Sequence, residues 1–251
     1  MSILVLVLLG LVQGLCEFLP ISSSGHLVLL SKLFKVEDSL FVSIILHVAT
    51  LLALMVVMRK EIFYCLRHPF SKQSMTIVVS TIITCIVAIV LMPFITASFE
   101  GVMLPVAFLG SAILLFLSQK LSGKGGEINY KRAGIIGFAQ GLAIFPGLSR
   151  SGTTISAGLL AGGNKEDCAK FSFLISLPIV FGSLLLEIVK LVVFKETISV
   201  NWLGLALAFL IAFVVGILTI KFMLKLTKNL NFKYFSIYLV IIAIVSAVIL
   251  W

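Results

Sequence analysis

Three ionisable side chains, Glu17, His26 and Arg150, interrupt stretches that are otherwise apolar. A charge at membrane depth is costly, so such a group faces a polar cavity or a partner. Beside them stand Ser22, Ser23, Ser24 and Gly25 in one stretch, and Gly147, Ser149, Ser151, Gly152, Thr153 and Thr154 in the other. Arg150 offers a planar fork of donors that matches phosphate oxygens. Gly25, Gly147 and Gly152 allow backbone N–H groups to approach an anion at helix starts. Glu17 can ligate a divalent cation or accept a proton, and His26 can transfer one near neutral pH. Ser23 becomes a candidate nucleophile if His26 activates it. Together these groups suit phosphoryl transfer, where positioning and charge neutralisation supply most of the catalysis. A purely structural Glu17–Arg150 ion pair would account for two charges and leave the hydroxyls unexplained.

Other polar residues carry less. His47 falls within an apolar run and reads equally well as cavity-facing or as a satisfied packing histidine. Glu187 and Lys190, three apart, read as a local ion pair, and Lys221 as a snorkelling lysine. His68 lies in a loop and carries no signal. Cys16, Cys65, Cys85 and Cys168 show no metal-ligand or CxxC spacing and are read as apolar fillers.

The elements that must hold these residues follow from composition. The 251 residues are 61% hydrophobic and only 12% charged, with a mean hydropathy of +1.24. A soluble domain carries about twice that charge. Six apolar runs, about 40–58, 74–95, 103–119, 170–193, 202–223 and 234–251, are each long enough to span a hydrocarbon core. Two further stretches, about 2–34 and 133–163, are broken by ISSSG after Pro20 and by PGLSRSG from Pro146. Broken backbone is tolerated at membrane depth only where it is buried in protein or lines a cavity. Each broken stretch is therefore expected to be a re-entrant helix–loop–helix. The first 18 residues lack a basic flank and an A-x-A-like site, so they are read as part of the mature chain.

The broken stretches repeat one another. Shifted by 127 residues, QGLCEFLPISSSG (13–25) lies over QGLAIFPGLSRSG (140–152) with seven identities in 13 positions, Gln13 on Gln140 among them. Thirteen Lys and Arg residues fall in alternate loops, from Arg59, Lys60, Arg67 and Lys72 through Lys120, Lys124, Lys131 and Arg132 to Lys165, Lys170, Lys225, Lys228 and Lys233. The other set holds three, Lys32, Lys35 and Lys195. The basic set is expected to be cytoplasmic and both termini outside. The net charge of +9 therefore points to membrane topology and anionic headgroups rather than nucleic acid. Three spans separate the repeats, so the halves (about 1–122 and 128–251) should be inverted within one membrane domain, with a site near the midplane. The expected fold is an all-α polytopic membrane protein of six transmembrane helices plus two re-entrant segments.

QGLCEFLPISSSGH (13–26) and FPGLSRSGTTIS (145–156) resemble the two signatures of the undecaprenyl-pyrophosphate phosphatase, or bacitracin-resistance, family, and the likeness covers essentially the whole chain. It implies hydrolysis of undecaprenyl pyrophosphate to undecaprenyl phosphate in the bacterial plasma membrane. It implies catalytic roles for Glu17, Ser23, His26 and Arg150. A divalent cation, Mg2+ or Ca2+, is implied at Gln13 and Glu17. Substrate contacts are expected from Ser22, Ser24, Gly25, Gly147, Ser149, Ser151, Gly152, Thr153, Thr154 and Gln140. The partners are the polyprenyl pyrophosphate lipid and membrane lipids, with a homodimer left open. Two positions depart from the family pattern: Gln13 stands where many members have Glu, and Val42 where an acidic residue is expected. A transporter or flippase of a phosphorylated polyprenyl lipid is the alternative. It needs phosphate binding alone, whereas Glu17, His26 and Ser23 add acid–base and nucleophilic groups.

Overall fold

The structure, a computed structural model, describes residues 2–36, 39–96, 103–121, 125–194, 200–227 and 231–250. Lys124, Lys195, Lys228 and the side chain of Lys190 lie outside them, and with Lys190 the Glu187–Lys190 pair. The described helices are α1 (Ile3–Cys16), α2 (Ser23–Leu33), α3 (Ser39–Val57), α4 (Arg59–Arg67), α5 (Lys72–Thr96), α6 (Leu104–Leu121), α7 (Tyr130–Leu142), α8 (Arg150–Leu160), α9 (Lys165–Phe194), α10 (Trp202–Leu226) and α11 (Lys233–Leu250). Six are long and apolar enough to cross a membrane: α3, α5, α6, α9, α10 and α11. These are the six runs read from sequence. Among the described residues there is no strand, only an isolated bridge between Gly126 and Gly163.

Helix starts coincide with short polar side chains. Asn129, Asn164 and Asn201 cap α7, α9 and α10, accepting from the N–H of Arg132 (2.9 Å), Asp167 (2.8 Å) and Gly204 (2.9 Å). Asn164 starts α9 at Lys165, so Lys165 and Lys170 are helical rather than in a loop, and Lys170 pairs with Glu166 at 2.9 Å. The segment 59–73, read as a loop, contains α4. Its Ile62 packs against the core while Phe63 and Leu66 are exposed. Nine residues are too few to register as a span, and the helix follows α3 after only Met58.

Helices α1 and α7 begin 127 residues apart, as do α2 and α8. The two pairs also exchange neighbours: α1 packs most extensively on α10, and α7 on α5. Small residues make the close approach. A Cβ at Gly10 would lie 2.3 Å from the Ala208 carbonyl oxygen, and one at Gly137 would lie 2.4 Å from that of Ser80. In lipid such contacts gain packing and hydrogen bonding rather than hydrophobic burial. Thr84 Oγ1 donates to the Gly137 carbonyl at 2.9 Å across one of these seams.

Both broken pairs turn back on themselves. The Arg132 Nε donates to the Ala161 carbonyl at 3.0 Å, and Gly126 N–H to that of Gly162 at 2.9 Å, so α8 ends beside the start of α7. Val36, after α2, shares a core cluster with Leu6 near the start of α1 and with Val200 before α10. Lys72 with Glu127 at 3.4 Å and Phe232 N–H on Gln119 at 3.1 Å gather the basic segments at one end of the bundle. Lys165 adds a contact over the Phe232 ring there. Outward-facing Ile82, Ile86, Ile89 and Val90 on α5 form an apolar surface suited to lipid.

Val42 is 1% exposed and packs in the core with Leu6 and Leu46. An acid there would be a buried charge, which explains how the chain accommodates this departure. The four cysteines are unbridged, with Cys16 and Cys168 buried.

Candidate active site

The loops that end α1 and α7 bring the starts of α2 and α8 together. Ser22 caps α2, its Oγ accepting from Gly25 N–H at 3.3 Å, and Ser149 caps α8 in the same way through Gly152 N–H at 3.1 Å. Ser24 and Ser151 lie one turn-position on, 3.5 and 3.4 Å from the capping hydroxyls. The loops interlock through Ser151 Oγ, which donates to the Leu19 carbonyl at 2.9 Å. Gly147 adopts φ 93°, a left-handed conformation that a side chain disfavours. A Cβ on Gly25 would lie 3.0 Å from the Gly147 Cα and 2.5 Å from the Phe108 ring. Ser111 holds the second loop from α6, accepting from Ser149 N–H at 2.8 Å. Two helix N-termini, each with a partial positive charge, thus stand side by side.

Glu17 closes α1 and is 7% exposed. Its Oε1 pairs with Arg150 Nη2, joining the two loops. Its Oε2 accepts from Ser23 Oγ at 2.5 Å and from Gln13 Nε2 at 3.1 Å, and His47 Nε2 lies 3.7 Å away. Gln13 Nε2 also reaches Thr50 Oγ1 at 3.2 Å. The sequence-read ion pair exists, and it carries a serine hydroxyl on the same carboxylate. This contact sets a proton acceptor directly on the Ser23 hydroxyl.

Not every candidate joins this centre. His26 does not meet Ser23. Its Nδ1 lies 2.7 Å from the Ser22 carbonyl and its Nε2 2.8 Å from the Tyr238 hydroxyl on α11. The expected Ser23–His26 contact is absent and Ser23 bonds Glu17 instead, because His26 stands three residues further along α2 and turns toward α11. Gln140, the counterpart of Gln13, bonds Thr84 Oγ1 at 3.1 Å and the Ile175 carbonyl at 3.4 Å, between α5, α7 and α9. Position 144, where the repeat would place a second acid, is Ile. Thr154 Oγ1 donates along α8 to the Arg150 carbonyl at 2.8 Å and meets Ser172 Oγ at 2.5 Å. Thr153 is 4% exposed, and its hydroxyl has no partner among the described residues.

Three residues at or behind the site carried no clear signal. Thr50 shares a face of α3 with His47, an i, i+3 spacing that could have paired them. Ser111 is one hydroxyl among many in an apolar run. Tyr238, near the start of the last span, reads as an interfacial aromatic.

These features define a class: a multi-pass helical membrane protein with one buried carboxylate–hydroxyl–guanidinium centre between two broken helix pairs. The family described as Bacitracin resistance protein BacA matches residues 6–245. The undecaprenyl-diphosphatase of Thermosipho melanesiensis is 39% identical over 96% of this chain and 97% of its own length. That of Bacteroides thetaiotaomicron is 39% identical with 95% of each covered, and that of Thermosipho africanus 40% identical with 96% and 97%. The chain belongs to the bacitracin resistance protein family.

Proposed function

We propose that this protein is a membrane phosphatase that hydrolyses undecaprenyl diphosphate to undecaprenyl phosphate and inorganic phosphate. The observation that carries the proposal is the buried Glu17 carboxylate, which bonds the Ser23 hydroxyl and the Arg150 guanidinium at once. The diphosphate binds where the starts of α2 and α8 meet, and Arg150 exchanges Glu17 for phosphate oxygens. Glu17, released from its counter-ion, accepts the Ser23 proton. Ser23 Oγ forms a bond to the terminal phosphorus as the bond from that phosphorus to the bridging oxygen breaks, and undecaprenyl phosphate departs. Water then attacks the phosphorus of the phosphoserine as its bond to Ser23 Oγ breaks, and Glu17 returns its proton to that oxygen. Both protons of the water leave with the phosphate as dihydrogen phosphate. A transporter has no use for a serine held on a carboxylate base.

The donor set fits a hard divalent cation. Among the described residues Gln13 Oε1 and its counterpart Gln140 Oε1 are both buried acceptors with no donor, and of the two only Gln13 lies four residues from a carboxylate, that of Glu17. Glu17 and, with its amide turned over, Gln13 would hold such a cation, giving up the bonds that Gln13 Nε2 makes to Glu17 and Thr50. Two protein oxygens suit Mg2+, which keeps water and phosphate as its other ligands, better than Ca2+. Bound there, the cation would neutralise charge on the diphosphate.

The same reading extends to the bilayer. The basic end of the bundle faces the cytoplasm, with both termini outside, in the bacterial plasma membrane. Helices α1 and α2, about 21 and 17 Å long, are each shorter than a hydrocarbon core of about 30 Å. With α7 and α8 they enter from opposite sides as inverted re-entrant pairs.

Purified protein should release phosphate from undecaprenyl diphosphate, and Ser23→Ala should lower the rate by at least about a hundredfold. No release by the wild type sinks the phosphatase reading. Full activity in Ser23→Ala with loss in Glu17→Gln would make water, rather than Ser23, the attacking group.

A further inference from the structure

We propose that Tyr238 is a positioning residue for this reaction, acting through His26 on the peptide that carries Ser23. The inference rests on the phosphatase reading and adds to it a residue from the last helix. The first link is the histidine tautomer. A carbonyl oxygen only accepts, so the 2.7 Å contact of His26 Nδ1 with the Ser22 carbonyl puts a hydrogen on Nδ1. The other nitrogen of a neutral ring then holds a lone pair, and the Tyr238 hydroxyl 2.8 Å from Nε2 donates to it. The two rings lie within 4° of parallel, and Phe108 meets the imidazole edge-on at 5.5 Å. His26 is 7% exposed, so this geometry is enclosed.

The second link is Ser22. Its φ of 68° is left-handed, a conformation that a serine holds only when its surroundings impose it. The His26 side chain and the His26 N–H, at 3.3 Å, both grip the Ser22 carbonyl. The next residue is Ser23, whose hydroxyl donates to Glu17. Neither imidazole nitrogen faces Ser23 or Glu17, so what His26 delivers is an N–H to a carbonyl. The Ser22 carbonyl requires the Nδ1–H tautomer, and Tyr238 stabilises it by donating to the lone pair left on Nε2. Without the phenol, the enclosed Nε2 lone pair has no donor, which lowers the advantage of the Nδ1–H tautomer over the one with its hydrogen on Nε2. In the latter, Nδ1 and the carbonyl would oppose two lone pairs, and the Ser22–Ser23 peptide would turn away from Glu17.

Tyr238→Phe keeps the ring and removes the donor. In purified protein it should lower kcat about five- to tenfold, the scale of one net hydrogen bond, with KM for the lipid within about twofold. Asn and Gln substitutions separate the two nitrogens of His26. His26→Asn places an amide N–H near the position of Nδ1 and should keep within about tenfold of wild-type kcat. His26→Gln and His26→Ala should fall well below that. In the His26→Asn background, Tyr238→Phe should change nothing further. Independently of turnover, 15N spectra of histidine-labelled protein should show the Nδ1–H form of His26 in the wild type and a tautomer mixture in Tyr238→Phe. An unchanged kcat or an effect confined to KM overturns the proposal. So does an equal loss in the His26→Asn background, a His26→Asn as inactive as Ala, or an Nε2–H ring in the wild type. A wild type that releases no phosphate would sink the functional reading instead, while the spectra still decide the tautomer.

Discussion

Replacing Glu17 by Gln preserves the shape of the side chain and removes its charge. In the structure that carboxylate faces Arg150 on one oxygen and Ser23 and Gln13 on the other. An amide accepts on one oxygen only and points its NH2 at donors on the other side, so one set of partners is lost. Arg150 is then left without a counter-charge, its side chain 24% exposed. Breaking a fully buried pair costs about 3–5 kcal/mol, and partial hydration of Arg150 reduces the expected loss to about 2–3 kcal/mol. Activity should fall about 10²- to 10⁴-fold, because Ser23 loses its proton acceptor. Adding Arg150→Met removes the second charge. Exchanging both members of a buried pair for neutral groups is often neutral or stabilising, so the double variant should recover most of the lost stability and remain inactive. Denaturant titration of purified protein in detergent, beside phosphate release, measures both quantities. A Glu17→Gln variant as stable as wild type, or a double variant that loses the sum of the two single losses, would refute the ion-pair argument. Turnover above a tenth of wild type would refute the role of Glu17 as base.

Arg150→Lys should lose at least about tenfold in kcat/KM, since a point charge does not replace a bidentate fork; near-normal turnover would remove the phosphate clamp. Gln13→Glu should lower the Mg2+ concentration for half-maximal activity if Gln13 and Glu17 hold one cation. A lower melting temperature with an unchanged cation midpoint would instead make Gln13 a helix-packing residue. Cysteines at Ser71 and Asn201, at opposite ends of the bundle, should be labelled from the cytoplasm and from outside respectively. Labelling of both from one side would overturn the orientation.

Gln13 departs from the family pattern, and its contacts do not follow from its residue type. The resemblance placed Gln13 beside Glu17 as a metal ligand. In the structure its amide nitrogen donates to Glu17 and Thr50, while the oxygen stays unpartnered. Its counterpart Gln140 makes the same contact with a threonine on another helix, Thr84, but has no acid beside it. The repeat thus preserved a packing contact in both halves and placed the acid in one.

What the sequence by itself determined was whatever the bilayer enforces locally. Twenty apolar residues in a row have one stable use, so all six long helices were legible. Backbone breaks at Pro20 and Pro146 had to be buried, which marked the two loops, and Glu17 and Arg150 stood out because a charge in an apolar run requires a partner. Tertiary structure decided the partners. Ser23 and His26 are three residues apart and were read as a pair, yet helix geometry turns them to different neighbours, Glu17 on one side and Tyr238, 212 residues away, on the other. A hydrogen bond depends on where two side chains point once non-adjacent helices have packed. In this chain the packing is set by glycines such as Gly10 and Gly137, whose missing side chains show their purpose only when the opposing backbone is in place.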